Sequence, residues 1–294
     1  MFTSAPPRRC VPTCIETMPT ITPAILRKQT IAVIGLGQIG GSLLKRLSEA
    51  RPRLSLLAHD RDRRLATKVG RYAEWVTDLT SVVQRSDVII LATPVPTAVA
   101  LIGKIAKTSR QAGKKPLLLD TGTVTRVIHA EAAKHKALVS HAGFHPLAGA
   151  EGEGWASARS DLFVGKCIVV TPSSKSPSPL IYGIVKVLGA TAINMDPRKH
   201  DSLVAEAIGL PHILAYAAQG LSRTNPLRAR SWASLTRVAA SNPEMVAGFL
   251  STNAAEQKRA ILRFENELKR LTKALDDKSG RTLLRLLADR QRTE

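Results

Sequence analysis

Aromatic side chains are scarce in this chain: Phe, Tyr and Trp make up 4% of its 294 residues. Stacking platforms for single-stranded nucleic acid need more of them. Acids are also few, 23 Asp and Glu against 43 Lys and Arg, which leaves a formal charge of +20. The bases are scattered, with no block of five or more, so they read as a solvated surface that favours anionic ligands; nucleic acid is not expected as a partner. Long apolar runs are missing too, and with them any membrane-spanning segment. Only three cysteines occur, Cys10, Cys14 and Cys167, too few for a disulfide framework. A reducing, cytoplasmic setting is the simpler inference.

The length suffices for two modest domains. Residues 1–29 show no periodicity and contain one acid, Glu16. They read as a loose tail; a basic, acid-poor transit peptide or a start upstream of Met18 stays open. From Thr30 onward short apolar runs alternate with amphipathic stretches. Ile31–Ile34, Leu54–Ala58, Val88–Ala92, Leu117–Leu119, Ile168–Val170 and Thr191–Met195 read as strands. Gly41–Glu49, Arg63–Gly70, Thr97–Thr108 and Val124–Lys134 read as helices. This alternation predicts an α/β domain over 30–196, a Rossmann-type parallel sheet with helices on both faces. No strand signal follows Met195, so 197–294 is expected to be an all-helical domain. Within it Leu203–Leu221 is apolar almost all round, predicting a helix buried on most sides. Ile261, Phe264, Leu268, Leu271 and Leu275 form a helical seam. So apolar a domain suggests dimerisation, hence a homodimer.

The segment Gly35-Leu36-Gly37-Gln38-Ile39-Gly40 lies between an expected strand and an expected helix, and Asp60 closes the next strand about 20 residues on. In such a turn Gly35 shapes the bend, Gly37 lets backbone approach a pyrophosphate, and Gly40 lets helix and strand pack closely. The free N–H groups at the helix start would hold the phosphates. Asp60 suits the ribose hydroxyls of NAD, whereas Arg61, Arg63 and Arg64 just after it suit the 2′-phosphate of NADP. The acid favours NAD and leaves NADP open. Thr93-Pro94 and Asp120-Thr121-Gly122-Thr123 end later strands at the same sheet edge, where the rest of a dinucleotide would lie; each is also compatible with a plain loop or a helix start.

His141 to Glu151, with Gly143, His145, Pro146 and Gly149, reads as a loop too rich in glycine for a strand interior. A neutral imidazole such as His145 is suited to accept a proton near pH 7. By itself His145 reads as an ordinary loop histidine.

Together, the glycine turn, Asp120-Thr121-Gly122-Thr123-Val124, and His145-Pro146-Leu147-Ala148-Gly149 with Glu151 resemble the prephenate and arogenate dehydrogenase family of tyrosine biosynthesis. The resemblance spans about residues 30–275. It implies oxidation of a ring carbinol by hydride transfer to NAD, with loss of the ring carboxylate as carbon dioxide. It places the base at His145 and a supporting hydroxyl at Thr123, which on its own reads equally as a helix cap. His200-Asp201 and Leu210-Pro211-His212 also look like the family's pattern, with His212 as a pocket wall; on its own it reads as structural. Leu235-Thr236-Arg237-Val238-Ala239 resembles the segment whose arginine grips the ring carboxylate of the small anionic substrate, a task suited to the planar guanidinium of Arg237.

The chain departs from the pattern at Ile208-Gly209, where the family usually carries serine or histidine. It departs again at Ala229–Ser234, and at Val246, where a tryptophan is usual. These changes leave prephenate, arogenate or an analogue open as substrate. Two further readings remain. One is a related dehydrogenase of another hydroxy acid, which would use a buried lysine near Lys199. The other is a dinucleotide-binding sensor without turnover. Any feedback control is expected at the active site itself.

Overall fold

The computed structural model describes residues 22–50, 53–149, 152–175, 177–221 and 226–291. Cys10, Cys14 and Glu151 lie outside them. The chain divides into two compact units between Asp201 and Ser202.

The first unit is built around central strands that are buried on both faces. β1 (Thr30–Ile34) leads into α1 (Gln38–Ser48), β2 (Ser55–His59), the short α2 (Ala66–Val69) and β3 (Glu74–Trp75). Next come α3 (Leu79–Arg85), β4 (Val88–Leu91), α4 (Val95–Ala112), β5 (Leu117–Asp120) and α5 (Arg126–Lys134). β6 (Ser140–Pro146), β7 (Cys167–Pro172), α6 (Pro179–Leu188) and β8 (Thr191–Asn194) complete an eight-stranded sheet of order β3-β2-β1-β4-β5-β6-β7-β8. β4 and β5 are buried at every residue and β1 at all but its first, as expected of strands covered on both faces by helices. The chain runs from β1 to β2 on one side and later to β4 on the other. A crevice therefore opens beyond the carboxyl ends of β1 and β4, where α/β sheets bind ligands.

Three expectations for this unit are corrected. The sheet is not parallel throughout, because β7 pairs antiparallel with β6. Residues 140–146 form β6 and are not a loop. Glycine is required there by space, since a Cβ on Gly143 would lie 2.1 Å from Thr171 Oγ1 and 3.1 Å from Thr125 Cγ2. The fold also starts before Thr30: Pro23–Leu26 forms a short 3-10 turn, and Leu26 is fully buried, packed where Gly183 of α6 leaves room.

α7 (Pro197–Val204) crosses the division and continues through a π-helical turn, Ala205–Gly209, into α8 (Leu210–Leu221). α9 (Arg230–Thr236), a 3-10 turn at Arg237–Ala240, α10 (Pro243–Thr252), α11 (Ala254–Ala274) and α12 (Arg281–Gln291) follow. Among the described residues no strand occurs after β8. Val246 and Phe249 of α10, together with Ala215 and Ala260, are buried here. The burial expected of Leu203–Leu221 is not found within one chain: in α8 only Ala215 is buried, and Leu203 and Leu221 are 44% and 89% exposed. Leu268 and Leu275 of the α11 seam are exposed as well. No helix among the described residues is long and apolar enough to cross a membrane.

Candidate active site

The turn after β1 forms because the strand must reverse into α1 within a few residues. Gly35 takes φ 89°, open to glycine and strained for other residues. A Cβ on Gly40 would fall 1.8 Å from the Gly35 carbonyl oxygen, so close helix–strand packing depends on its absence. Gly37 differs: it caps α1 with no side-chain bond, and a Cβ there would meet nothing within 4 Å. The protein itself does not need glycine at 37, which leaves an open cradle at a helix N-terminus. Leu36 is buried and Ile39 half-buried, while Gln38 donates from Nε2 to the Gly152 carbonyl at 3.1 Å.

Asp60 closes this turn. Its Oδ2 accepts from Leu36 N–H at 2.6 Å and its Oδ1 from Asp62 N–H at 2.8 Å, so the carboxylate is fixed beside the cradle. Arg64 is bound to Asp62 through two contacts of 2.8 and 2.9 Å, whereas Arg61 and Arg63 stand exposed. Thr93 sits at the end of β4, its Cγ2 beside Gly35. Its Oγ1 is buried with no hydrogen-bond partner among the described residues, an expensive state for a hydroxyl unless a ligand completes it. Exposed Pro94 caps α4, and Gly122 N–H donates to Asp120 Oδ1 at 3.0 Å. The open cradle, the fixed acid and the orphaned hydroxyl together fit a dinucleotide.

His145 lies near the end of β6, 6% exposed. Its Nδ1 is 2.9 Å from Nε2 of His200 on α7, and His200 Nδ1 is 2.9 Å from Asp201 Oδ1. Asp201 in turn caps α5: Oδ1 accepts from Thr125 N–H at 2.9 Å and Thr125 Oγ1–H at 3.1 Å, and Oδ2 from Arg126 N–H at 3.0 Å. Burial raises the Asp201 pKa, but these bonds outweigh it and hold the group below the ordinary carboxylate value. His145 is pushed down to about 3, first by burial and then by His200, with Asp201 pulling the other way. It is therefore a neutral imidazole. Thr123, half-buried in the turn before α5, is not that helix's cap, since α5 begins at Arg126.

A second polar cluster ties β5, β6, β7 and α5 together. His141 Nε2 is 2.8 Å from Asp120 Oδ2, and Ser173 Oγ lies 3.2 Å from His141 Nδ1 and 3.0 Å from His129 Nδ1. His129 Nε2 reaches Thr171 Oγ1 at 3.0 Å, and burial lowers its pKa to about 4.

In the helical unit, His212 is half-buried on α8, donating from Nδ1 to the Ile208 carbonyl at 2.8 Å and meeting Phe249 edge-on at 5.4 Å. The 3-10 turn opened by exposed Arg237 packs on α8, tied by Tyr216 O–H to the Ser241 carbonyl at 3.1 Å. The glycine of Ile208-Gly209 has a physical reason, because a Cβ on Gly209 would lie 2.0 Å from the Gln257 amide. Gln257 is 4% exposed, and neither amide atom has a partner among the described residues. Sequence reasoning noticed His200 and Asp201 but gave them no task. The signal was the adjacent His-Asp pair itself, whose partner across the fold only the topology supplies. Lys199 beside them is exposed, which disfavours the buried-lysine alternative.

The family model for the prephenate dehydrogenase nucleotide-binding domain matches residues 44–194, beginning inside α1, and that for the prephenate dehydrogenase dimerization domain matches 196–289. The cyclohexadienyl dehydrogenase of Zymomonas mobilis is 29% identical over 89% of this chain and 94% of its own. The prephenate dehydrogenase of Bacillus subtilis is 25% identical over 84% of this chain and 69% of its own. Among solved structures, prephenate dehydrogenase from A. aeolicus, in complex with hydroxyphenyl propionate and NAD+, has a TM-score of 0.80 at 23% identity, covering 91% of this chain and 98% of that one. Synechocystis arogenate dehydrogenase has a TM-score of 0.75 at 24% identity, covering 90% and 100%. At such identities the two structures speak for the fold.

Proposed function

The chain belongs to the prephenate dehydrogenase family, and on that premise we propose that it oxidises prephenate to 4-hydroxyphenylpyruvate in tyrosine biosynthesis, with NAD as cofactor. The observation that carries this reading is His145, neutral and buried, backed by His200 and Asp201. Gly35–Gly40, Asp60, Thr93, Pro94 and Gly122 would hold NAD, which when bound would supply the acceptor for the carbinol hydride. His145 takes the hydroxyl proton as the carbinol C–H bond breaks, so a ring carbonyl forms. The ring carboxylate leaves as carbon dioxide; its bonding electrons enter the ring, which becomes aromatic when the carbonyl oxygen is protonated. Thr123 supports His145, while Arg237 and His212 hold the anionic substrate. Arogenate is the second substrate of this reading, giving tyrosine by the same steps.

The protein acts as a homodimer in the cytoplasm. Exposed Leu221, Leu227, Leu268, Leu275, Leu284 and Leu287 on the helical unit support the dimer, since such apolar surface is costly in water. Light scattering at micromolar concentration tests it, with a monomer as the contrary result.

The deciding assay crosses prephenate and arogenate with NAD and NADP and follows cofactor reduction. NADH formation with prephenate is expected. Cofactor binding without turnover on either substrate would leave a sensor, and a preference for NADP would give Arg61 a 2′-phosphate to hold.

A further inference from the structure

Beyond the base itself, the structure holds a device that fixes which of its nitrogens is reactive. Asp201 accepts from Thr125 and Arg126 and faces His200 Nδ1. As a carboxylate it can only accept, so the proton shared with His200 sits on His200 Nδ1. In a neutral His200 the Nε2 then carries no proton. The atom 2.9 Å away, His145 Nδ1, must then be the donor in their bond. His145 carries one ring proton when neutral, and with that proton on Nδ1 its Nε2 presents a bare lone pair.

We propose that His200 and Asp201 are positioning residues that lock His145 in the Nδ1–H tautomer, reserving Nε2 as the atom that accepts the substrate's hydroxyl proton. The inference rests on the assignment of His145 as base. In the transfer the substrate O–H bond breaks and a bond from hydrogen to His145 Nε2 forms. The new imidazolium stays bonded to His200, with the Asp201 anion one residue further on. Both His200 and Asp201 are buried, at 2% and 0% exposure, so water does not scramble the order of protons. The titratable groups that act on His145 are these two. The His141–Asp120 pair sits in the separate cluster with Ser173 and His129. Asp201 also ties the start of α5 to α7, which couples the base to the turn that carries Thr123.

The direct test is a long-range proton–nitrogen NMR spectrum of the full-length protein labelled with 15N-histidine, His145 being assigned from the signals lost in His145→Asn. The expected pattern is a protonated Nδ1 and an unprotonated Nε2 at pH 7; the reverse would overturn the proposal. Kinetics give the second readout. His200→Leu removes the acceptor for Nδ1–H and should lower kcat by roughly 100-fold or more, with KM little changed, across the whole pH profile. His200→Gln restores a donor and an acceptor and should recover at least about tenfold of that loss, which a merely space-filling role for His200 would not produce. An undiminished kcat in His200→Leu refutes the relay. If His145→Asn itself keeps normal turnover, the base assignment fails instead. His145→Asn inactive beside a fully active His200→Leu removes only the relay.

Discussion

Gly37→Ala separates the needs of the fold from those of the cofactor. Gly37 has φ −69° and ψ −158°, a backbone that alanine adopts without strain, and a Cβ there meets no atom within 4 Å. Two small effects on the free protein oppose each other. Alanine narrows the unfolded ensemble, stabilising by about 0.4–1 kcal/mol. It is also a poorer helix cap than glycine, at a cost of roughly 0.5–1 kcal/mol. The net change is near zero, and the melting temperature without cofactor should move by no more than about 3 °C. Cofactor binding has no such compensation. A methyl group in the cradle blocks backbone approach to a phosphate, and one lost hydrogen bond to a charged group is worth about 1.5–3 kcal/mol, or roughly 10- to 150-fold in Kd for NAD. Calorimetric titration gives the Kd, and melting curves with and without NAD give the stability. Gly40→Ala is the contrast, since its Cβ would overlap the Gly35 carbonyl oxygen at 1.8 Å and the variant should fail to fold. Wild-type affinity for NAD in a well-folded Gly37→Ala would refute the placement of the pyrophosphate, and a large fall in melting temperature would refute the packing argument.

Thr93→Val removes the buried, unpartnered hydroxyl; the free protein should be equally or more stable by melting curve, while NAD affinity falls several-fold. Arg237→Gln should raise KM for the anionic substrate by roughly tenfold or more through loss of a charged contact, with a smaller change in kcat; an unchanged KM in steady-state assays would move the carboxylate site elsewhere. His145 and His129 have native pKa values of about 3 and about 4, below the ordinary imidazole value of about 6.5. Between these limits the unfolded chain binds protons that the native rings refuse. Stability is thus fully present above pH 6.5 and falls as pH drops toward 4, by an amount on the order of 3 kcal/mol per ring. Melting curves from pH 7 to 4.5 should show the decline, and a flat series would contradict the buried neutral histidines.

What was legible in the sequence was what is local. β1, the glycine turn and Asp60 are neighbours in sequence and space, and the apolar runs of β4 and β5 needed only their length and flanks. β6 was misread because Gly143 looks like a loop residue. Its reason, the approach of Thr171 and Thr125, comes from two other parts of the chain. The His145–His200–Asp201 chain spans β6 to α7, so no local pattern reveals it. The burial of α8 was overestimated for a different reason. Apolar periodicity in α8 and α11 reports that these faces need cover but not which molecule covers them, and within one chain Leu221, Leu268 and Leu275 remain open.

A histidine held to a pKa of about 3 is a weak acceptor in the free enzyme, so the bound substrate has to strengthen it. A carboxylate about 6 Å from the ring, at an effective dielectric of about 20, favours the imidazolium by about 3 kcal/mol, or about 2 pKa units. A dianionic substrate with one of its two charges countered would supply about that much. Burial thus keeps the base neutral until the substrate's charge arrives, and Asp201 adds to the same pull through His200. The consequence is kinetic, because kcat/KM reports the base in the free enzyme and kcat reports it in the complex. On lowering pH from 8 to 5, kcat should begin to fall while kcat/KM for prephenate is still level. Acid limbs that coincide near pH 6.5 would mean that His145 titrates as an ordinary exposed imidazole, and the buried relay would then have no part in setting its strength.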